Sequence, residues 1–237
     1  YHLSLAALGA IRYGFPSRRI VVVGVTGTKG KTSTTELVNA ILEAAGKKTA
    51  VLGTLRFKIG DRNDRNLRKM TTPGRFFVQR FLSDAVRAGC THAVIEMTSE
   101  GARQFRQRFV DMDALIFTNL SPEHIESHGS YEAYRDAKLS IARTLARSTK
   151  KGRFMVANAD DKEGALFLAV PGVVPLGYGK KDGEPIETNA ESTVLHFKGT
   201  RIASSLPGLF SAYNIIAAAA CTDALGIPID AIARGIG

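Results

Sequence analysis

Between residues 20 and 45 the chain places two glycines, a lysine and a threonine where a polyphosphate could be held. The run Ile20-Val21-Val22-Val23-Gly24-Val25 is apolar at five of its six positions and reads as an interior parallel strand. It continues through Thr26 into a glycine loop and then a helix whose apolar stripe is Leu37, Val38, Ile41, Leu42 and Ala45. In that setting Gly27, Thr28, Lys29, Gly30, Lys31, Thr32 and Ser33 make a phosphate loop. The glycines let backbone N–H groups turn inward, Lys31 brings a positive charge to the β- and γ-phosphates, and the Thr32 hydroxyl is a ligand for Mg²⁺. The spelling is the short G-T-x-G-K-T form, because Val25 stands where the longer pattern has glycine. The competing reading is a glycine turn kept for packing alone.

Other reactive side chains fall near the ends of further strands. Ala93-Val94-Ile95 ends in Glu96, and Ala114-Leu115-Ile116-Phe117 ends in Thr118-Asn119, six residues before His124. In an open α/β sheet the carboxyl ends of the strands meet the ligand, so Glu96 is a candidate Mg²⁺ ligand, with a helix cap or an ion pair as its alternative. Lys138 lies on the apolar stripe Tyr134, Ala137, Ile141, Leu145 of a helix over 131–146. An inward lysine must snorkel to water, pair with an acid, lose its proton or be modified, and the pattern leaves all four open. His124 and His128 are four apart among Glu123 and Glu126, but H-I-E-S-H is not H-E-x-x-H, and Pro122 with Ser127-His128-Gly129 predicts a loop. Zinc is the weaker reading there. A histidine beside a Mg²⁺ site fits better.

The elements that must position these groups alternate. Strands are predicted at 20–25, 49–53, 92–97, 113–118 and 153–157, with helices at 31–45, 73–88 and 131–146, which predicts an α/β fold built on a mainly parallel, doubly wound sheet. From Gly172 to Leu206 the character changes to short β-type runs (Val173–Leu176, Thr193–Phe197, Arg201–Ser205) between Gly, Pro and Lys, predicting a small antiparallel edge or flap. Helix returns over Ser211–Leu225, and a last short helix follows Pro228. Residues 1–17 read as a short docking helix and linker in front of a domain over 18–237.

Composition limits the partners. With 237 residues, 44% of them hydrophobic, the chain is of globular type, and it contains no run long enough to span a membrane. Cys90 and Cys221 are isolated, which suits neither a disulfide framework nor a cysteine zinc site and fits a reducing cytoplasm. Thirty-two Lys and Arg against 22 Asp and Glu give a net charge of +10, which favours an acidic partner. The excess is local. Arg56, Lys58, Arg62, Arg65, Arg68 and Lys69 crowd a segment read as an exposed turn around Asp61 and Asp64, and Arg103, Arg106 and Arg108 crowd another. No recognition helix, finger or RNP pattern accompanies them, so nucleic acid is not an expected partner.

Taken in order, these segments resemble the ATP-dependent Mur ligases of peptidoglycan synthesis, over nearly the whole chain. Gly24–Glu36 is similar to the family's phosphate loop, Met70-Thr71-Thr72-Pro73 to a muramyl-substrate segment, and Ile95–Arg106 to the segment with the metal glutamate. Thr118–Lys138 resembles T-N-L-x-x-D-H-x-D-Y-H-G-x-x-x-x-Y-x-x-A-K, with the histidine-to-lysine spacing of the MurE-type branch that adds the third peptide residue. Leu206–Ala220 resembles L-x-G-x-F-N-x-x-N-x-x-A-A-x-A. Glu123 and Glu126 replace the family's aspartates, Glu100 replaces a histidine, and Met70 stands where asparagine is often seen.

The resemblance implies roles. Lys31 would hold the β/γ-phosphates of ATP, Thr32 and Glu96 one Mg²⁺, and His124 with Lys138 a second metal region, the family's lysine being carbamylated. Asn214 would lie near adenine. Thr71, Thr72, Thr98, Gln104 and Arg106 match positions that touch the UDP-N-acetylmuramoyl peptide. The implied reaction activates a carboxylate as an acyl phosphate, which the amine of an amino acid then attacks. The family's N-terminal uridine-binding domain and its C-terminal amino-acid-binding domain are expected to be absent from this chain, leaving the central ATPase domain. Two rivals remain: a folate- or cyanophycin-type amide ligase, which the M-T-T-P and H-G-x-x-x-x-Y segments disfavour, and a non-catalytic nucleotide- or nucleic-acid-binding module.

Overall fold

The computed structural model describes residues 1–67, 70–123 and 125–237, with Ile125 described by its backbone alone. In chain order its elements are α1 (His2–Arg12), β1 (Val21–Thr26), α2 (Lys31–Ala44), β2 (Thr49–Leu52), β3 (Arg56–Ile59), β4 (Arg62–Arg65), α3 (Arg75–Arg87), β5 (His92–Glu96), α4 (Ser99–Arg103), β6 (Ala114–Phe117), α5 (Ile125–His128) and α6 (Tyr131–Ala146). They continue with β7 (Phe154–Asn158), α7 (Gly164–Leu168), β8 (Val174–Tyr178), β9 (Glu187–Thr188), β10 (Thr193–Phe197), β11 (Thr200–Ser204), α8 (Leu209–Ala224) and α9 (Ile229–Ile236).

One sheet runs β4-β3-β2-β5-β1-β6-β7-β8, parallel from β2 to β8, with β3 and β4 antiparallel at one edge. The apolar β1 run is explained by coverage on both faces. Val22 packs into the core shared with α3 and α6, whereas Val23 and Val25 enter the opposite core with α2, α8 and α9, and all three are fully buried. Burying each such side chain stabilises the fold by about 1.5–3 kcal/mol. In α8 the buried run Ala217-Ala218-Ala219 lets the helix lie close against both the sheet and its neighbours. The second sheet, β11-β10-β9, covers this side through Leu195, Phe197 and Ile202.

Three sequence expectations need correction. Val174–Tyr178 is not part of the antiparallel flap, since β8 pairs in parallel with β7 and extends the main sheet, and only β9 to β11 form the small antiparallel unit. The basic segment after residue 55 is a hairpin, β3 with β4, rather than an exposed turn. Its residues Arg56-Phe57-Lys58-Ile59 alternate, and the two faces have different uses. Phe57 and Ile59 pack on the core, while Lys58 is buried with its Nζ 2.6 Å from Glu43 Oε1 and donating to Thr49 Oγ1 at 2.9 Å. Arg56 makes a fork on Glu36, and that pair keeps the Glu43 and Glu36 side of α2 joined to the hairpin. Arg68 and Lys69 of the same cluster lie outside the described residues. Residues 125–128, expected as loop, form one helical turn. At the start of the chain, α1 buries Ala6, Gly9 and Ala10, and Gly9 sits against Phe76 and Gln79 of α3. Among the described residues no helix is long and apolar enough to cross a membrane.

Candidate functional site: a phosphate loop beside a buried carboxylate and lysine

The groups singled out from the sequence gather at the carboxyl ends of β1, β5, β6 and β7. β1 is the centre of that edge, with Val25 in register with Glu96 on one side and Thr26 with Phe117 on the other. Gly27 has φ 148° and Gly30 has φ 82°, and both are tightly approached. A Cβ on Gly27 would lie 2.0 Å from Thr118 Oγ1, and one on Gly30 would lie 2.2 Å from Asn214 Oδ1. Only glycine fits there. The loop is braced from β6: Thr28 N–H donates to Asn119 O at 2.8 Å, Lys29 N–H to Asn119 Oδ1 at 2.9 Å, and the Thr118 hydroxyl to Lys29 O at 2.7 Å. The Thr28 hydroxyl meets the Tyr134 hydroxyl at 3.0 Å. Lys31, Thr32 and exposed Ser33 begin α2, so free N–H groups and the positive end of the helix dipole face the loop's mouth.

Two lysines converge on one carbonyl. Lys31 Nζ donates to Gly27 O at 3.0 Å and to Thr28 O at 2.7 Å, and Lys138 Nζ donates to Gly27 O at 2.7 Å. Burial pushes the Lys31 ammonium below its ordinary value, against the opposing pull of Glu96. Lys138 is 2% exposed and stands 4.7 Å from the centre of the Tyr134 ring. Its pKa is pushed down to about 7, by burial first and by the Lys31 charge second. Of the fates open to an inward lysine, snorkelling is thereby excluded.

Glu96 is 1% exposed and holds three donors: the Thr32 hydroxyl at 3.1 Å and the Thr54 hydroxyl at 2.9 Å on Oε2, and the Thr54 N–H at 2.9 Å on Oε1. A Cβ on Gly53 would stand 2.6 Å from Glu96 Oε1, so the turn between β2 and β3 presses directly on the carboxylate. Hydroxyl and carboxylate oxygens at this spacing are the hard donors that Mg²⁺ prefers, and the residues present fit that ion. His124 lies outside the described residues. His128 turns inward, with Nε2 3.1 Å from Ser99 Oγ and 3.5 Å from Glu100 Oε1, and its ring packs edge-on to Tyr134. Among the described residues no group of three His, Cys, Asp or Glu could hold a metal.

The remaining candidates form a second group joined to the first. Thr72 donates its hydroxyl to Glu96 O at 2.8 Å, and Thr71 Oγ1 is 2.8 Å from Thr54 Oγ1. Arg106 reaches back to Thr72 O and donates to Gln104 Oε1 at 2.8 Å. Thr98 caps α4 by accepting from Gly101 N–H at 3.1 Å, which places it across Gly101 from Thr72. On the other side of the loop, Asn214 Oδ1 accepts from Thr34 Oγ1 at 3.3 Å and borders a cavity of about 510 Å³. Lys29, Gly30, Asn119, Asn158, Asp160, Phe210 and Tyr213 also line it. Tyr213 donates to Asp160 Oδ2 at 2.8 Å, and Phe210 is 79% exposed at its rim. Thr54, Asn158, Asp160, Phe210 and Tyr213 were not singled out from the sequence. Asn158-Ala159-Asp160-Asp161 at the end of β7 was the available signal, because it occupies the same strand-end position as Glu96 and Thr118.

A strand, a glycine loop and a helix carrying Lys31 and Thr32, set at the middle of a doubly wound sheet, define an α/β protein of the phosphate-loop class. Residues 25–222 match the family described as Mur ligase middle domain. The chain belongs to the Mur ligase family and carries that domain, and members of the family are ATP- and Mg²⁺-dependent. It is 35% identical to the UDP-N-acetylmuramoyl-L-alanyl-D-glutamate--2,6-diaminopimelate ligase of Bacillus velezensis, over 98% of this chain and 49% of that protein. Identity is 36% to the UDP-N-acetylmuramyl-tripeptide synthetase of Roseiflexus sp., over 96% of this chain and 48% of that one. A solved UDP-N-acetylmuramoyl-L-alanyl-D-glutamate--2,6-diaminopimelate ligase superposes with a TM-score of 0.78 at 25% identity, covering 92% of this chain and 46% of the other. The apo form of L. casei FPGS, at 15% identity and a TM-score of 0.73, shares the fold. The chain spans about half the length of the curated relatives it matches.

Proposed function

We propose that this chain is the nucleotide-binding part of an ATP-dependent ligase that joins an amino acid to a UDP-N-acetylmuramoyl peptide, of the branch that adds the third peptide residue. One observation carries the reading: the buried Glu96 is hydrogen-bonded through its side chain to Thr32 of the phosphate loop and through its carbonyl to Thr72 of the proposed acceptor segment. The phosphate end of the nucleotide and the carboxylate of the acceptor would therefore meet over one fixed group. Nucleotide phosphates lie on the N–H groups of Gly27 to Ser33, Lys31 exchanges its two loop carbonyls for phosphate oxygens, and the nucleoside end occupies the cavity beside Asn214. Thr32 and Glu96 hold Mg²⁺, which supplies charge neutralisation for the transferring phosphoryl group. Thr71, Thr72, Thr98, Gln104 and Arg106 hold the acceptor so that its carboxylate oxygen attacks the γ-phosphorus. The bond to the β-phosphate oxygen breaks, and ADP and an acyl phosphate result. The amine of the incoming amino acid then attacks the acyl carbon, loses a proton, and inorganic phosphate leaves. Positioning and charge stabilisation do most of this work, since no side chain becomes covalently attached.

Lys138 suits carbamylation in this scheme. A near-neutral amine has the lone pair that attacks CO₂; one N–C bond forms and one proton leaves. The product replaces a cation facing Lys31 by an anion, which removes the repulsion and offers oxygens toward a metal region shared with His124. Residues 18–237 are the unit to which these roles belong.

Incubation of the chain with Mg·ATP and hydroxylamine, together with either UDP-N-acetylmuramoyl dipeptide or a pteroylglutamate, tests the reading. Acceptor-dependent ADP release with an acyl hydroxamate on the dipeptide is expected. ADP release indifferent to that acceptor, or hydroxamate formed on a pteroylglutamate instead, would overturn it.

A further inference from the structure

We propose that Thr54 is a positioning residue that couples occupancy of the acceptor segment to occupancy of the Mg·nucleotide site. The inference rests on the reading of Glu96 as metal ligand and Thr71 as acceptor contact. Thr54 sits at the tip of the turn between β2 and β3, exposed to solvent, yet it is bonded to both groups: its hydroxyl donates to Glu96 Oε2 at 2.9 Å and lies 2.8 Å from Thr71 Oγ1. A hydroxyl has one proton. Because Thr54 gives its proton to Glu96, Thr71 must be the donor in the second bond, and the order is Thr71 to Thr54 to Glu96.

Two consequences follow from that direction. Thr71 has spent its own proton and presents only lone pairs to a ligand, so the acceptor group that it meets is a donor, an amide N–H or a hydroxyl, and not a carboxylate. Donation into Thr71 also polarises both downstream bonds in the same sense, which strengthens the hold on Glu96. An acceptor bound at Thr71 thus stiffens the carboxylate that Mg²⁺ requires, and by linkage Mg·nucleotide raises acceptor affinity by the same factor. Glu96 is already restrained by the Thr54 N–H and by the close approach of Gly53, so the hydroxyl acts on orientation and not on whether the carboxylate is buried.

The test is calorimetric titration of the 237-residue chain with Mg·AMPPNP, without and with saturating UDP-N-acetylmuramoyl dipeptide. The expected ratio of dissociation constants in the parent is about fivefold, at the low end of allosteric couplings because Thr54 is exposed. Thr54→Val keeps the backbone N–H and removes the relay; it should bring the ratio to about one while each ligand still binds alone. Thr54→Ser should restore the parent ratio, and Thr71→Val, which also removes an acceptor contact and so weakens dipeptide binding on its own, should likewise bring the ratio to about one, with no further loss of coupling in the double variant. A Thr54→Val ratio equal to a parent ratio above one overturns the coupling and leaves the functional reading standing. A parent that binds Mg·AMPPNP but not the dipeptide overturns both.

Discussion

Replacing Lys138 by methionine isolates the electrostatic cost of a buried amine. The perturbation keeps the length and apolar volume of the side chain and removes its charge and its bond to Gly27 O. With the pKa moved from 10.5 to about 7, the folded protein disfavours the ammonium, relative to water, by roughly 5 kcal/mol at 1.36 kcal/mol per pH unit. That figure is an upper bound on the gain in Lys138→Met, because the variant also loses the hydrogen bond to Gly27 O, which keeps only its Lys31 donor at 3.0 Å. The sign follows from proton counting. Between about pH 7 and 10.5 the folded chain binds fewer protons at this position than the unfolded chain, so the parent gains stability as pH rises through that window. Below it the penalty is fully present. Lys138→Met has no such dependence, and the stability of the parent relative to the variant should rise by up to about 1.4 kcal/mol per pH unit near the middle of the window. Urea unfolding of both proteins from pH 6 to 10, in degassed buffer with a chelator, measures the difference at each pH. A difference that stays flat from pH 7 to 10 would refute the assignment of Lys138 as a buried amine of lowered basicity. The same chemistry has a second readout. With ¹³C-bicarbonate at pH 7.5 the parent should show a carbamate resonance that is missing from Lys138→Met.

Lys31→Ala should lower Mg·ATP affinity by about 1.5–3 kcal/mol, the scale of hydrogen bonds to a charged group, with little change in melting temperature; equal affinity by calorimetry would remove Lys31 from the site. Gly30→Ala introduces a Cβ 2.2 Å from Asn214 Oδ1 at a φ of 82°, so it should destabilise the fold by at least about 1–2 kcal/mol and weaken nucleotide binding together, which paired urea and calorimetric titrations would detect. Glu96→Gln preserves shape and should shift the Mg²⁺ dependence of nucleotide binding to higher concentration, whereas an unchanged magnesium titration would leave Glu96 as a structural acceptor for Thr32 and Thr54 alone.

The parts legible in the sequence are those whose signal is local. β1 and α2 are specified by an apolar run, two glycines and a helical stripe within 25 residues, and the loop between them follows. Lys138 was visible as a contradiction, a charge on an apolar stripe, and the contradiction was real because Gly27 O waits for it across 111 positions of chain, beside the Tyr134 ring of its own helix. The misses share a cause. The β3–β4 hairpin hid because its inward lysine and arginine are neutralised by Glu43 and Glu36, acids on a helix earlier in the chain, so a buried strand face looked like solvated charge. β8 looked like a flap because Pro175 and Gly177 are strand breakers, tolerated there at the sheet's outer edge. Thr54 gave no signal at all. Its importance arises from the turn being pressed onto Glu96, a contact 42 residues away in sequence.

The most direct measurement is a crystal structure of the chain with Mg·AMPPNP. The β- and γ-phosphates are expected against the N–H groups of Thr28 to Ser33, with Lys31 turned from Gly27 O onto phosphate, Mg²⁺ touching Thr32 and Glu96, and adenine in the cavity beside Asn214. A nucleotide bound elsewhere, or bound here with Lys31 still on its loop carbonyls and Glu96 free of metal, would contradict the assignment of this loop as the ligase's nucleotide site.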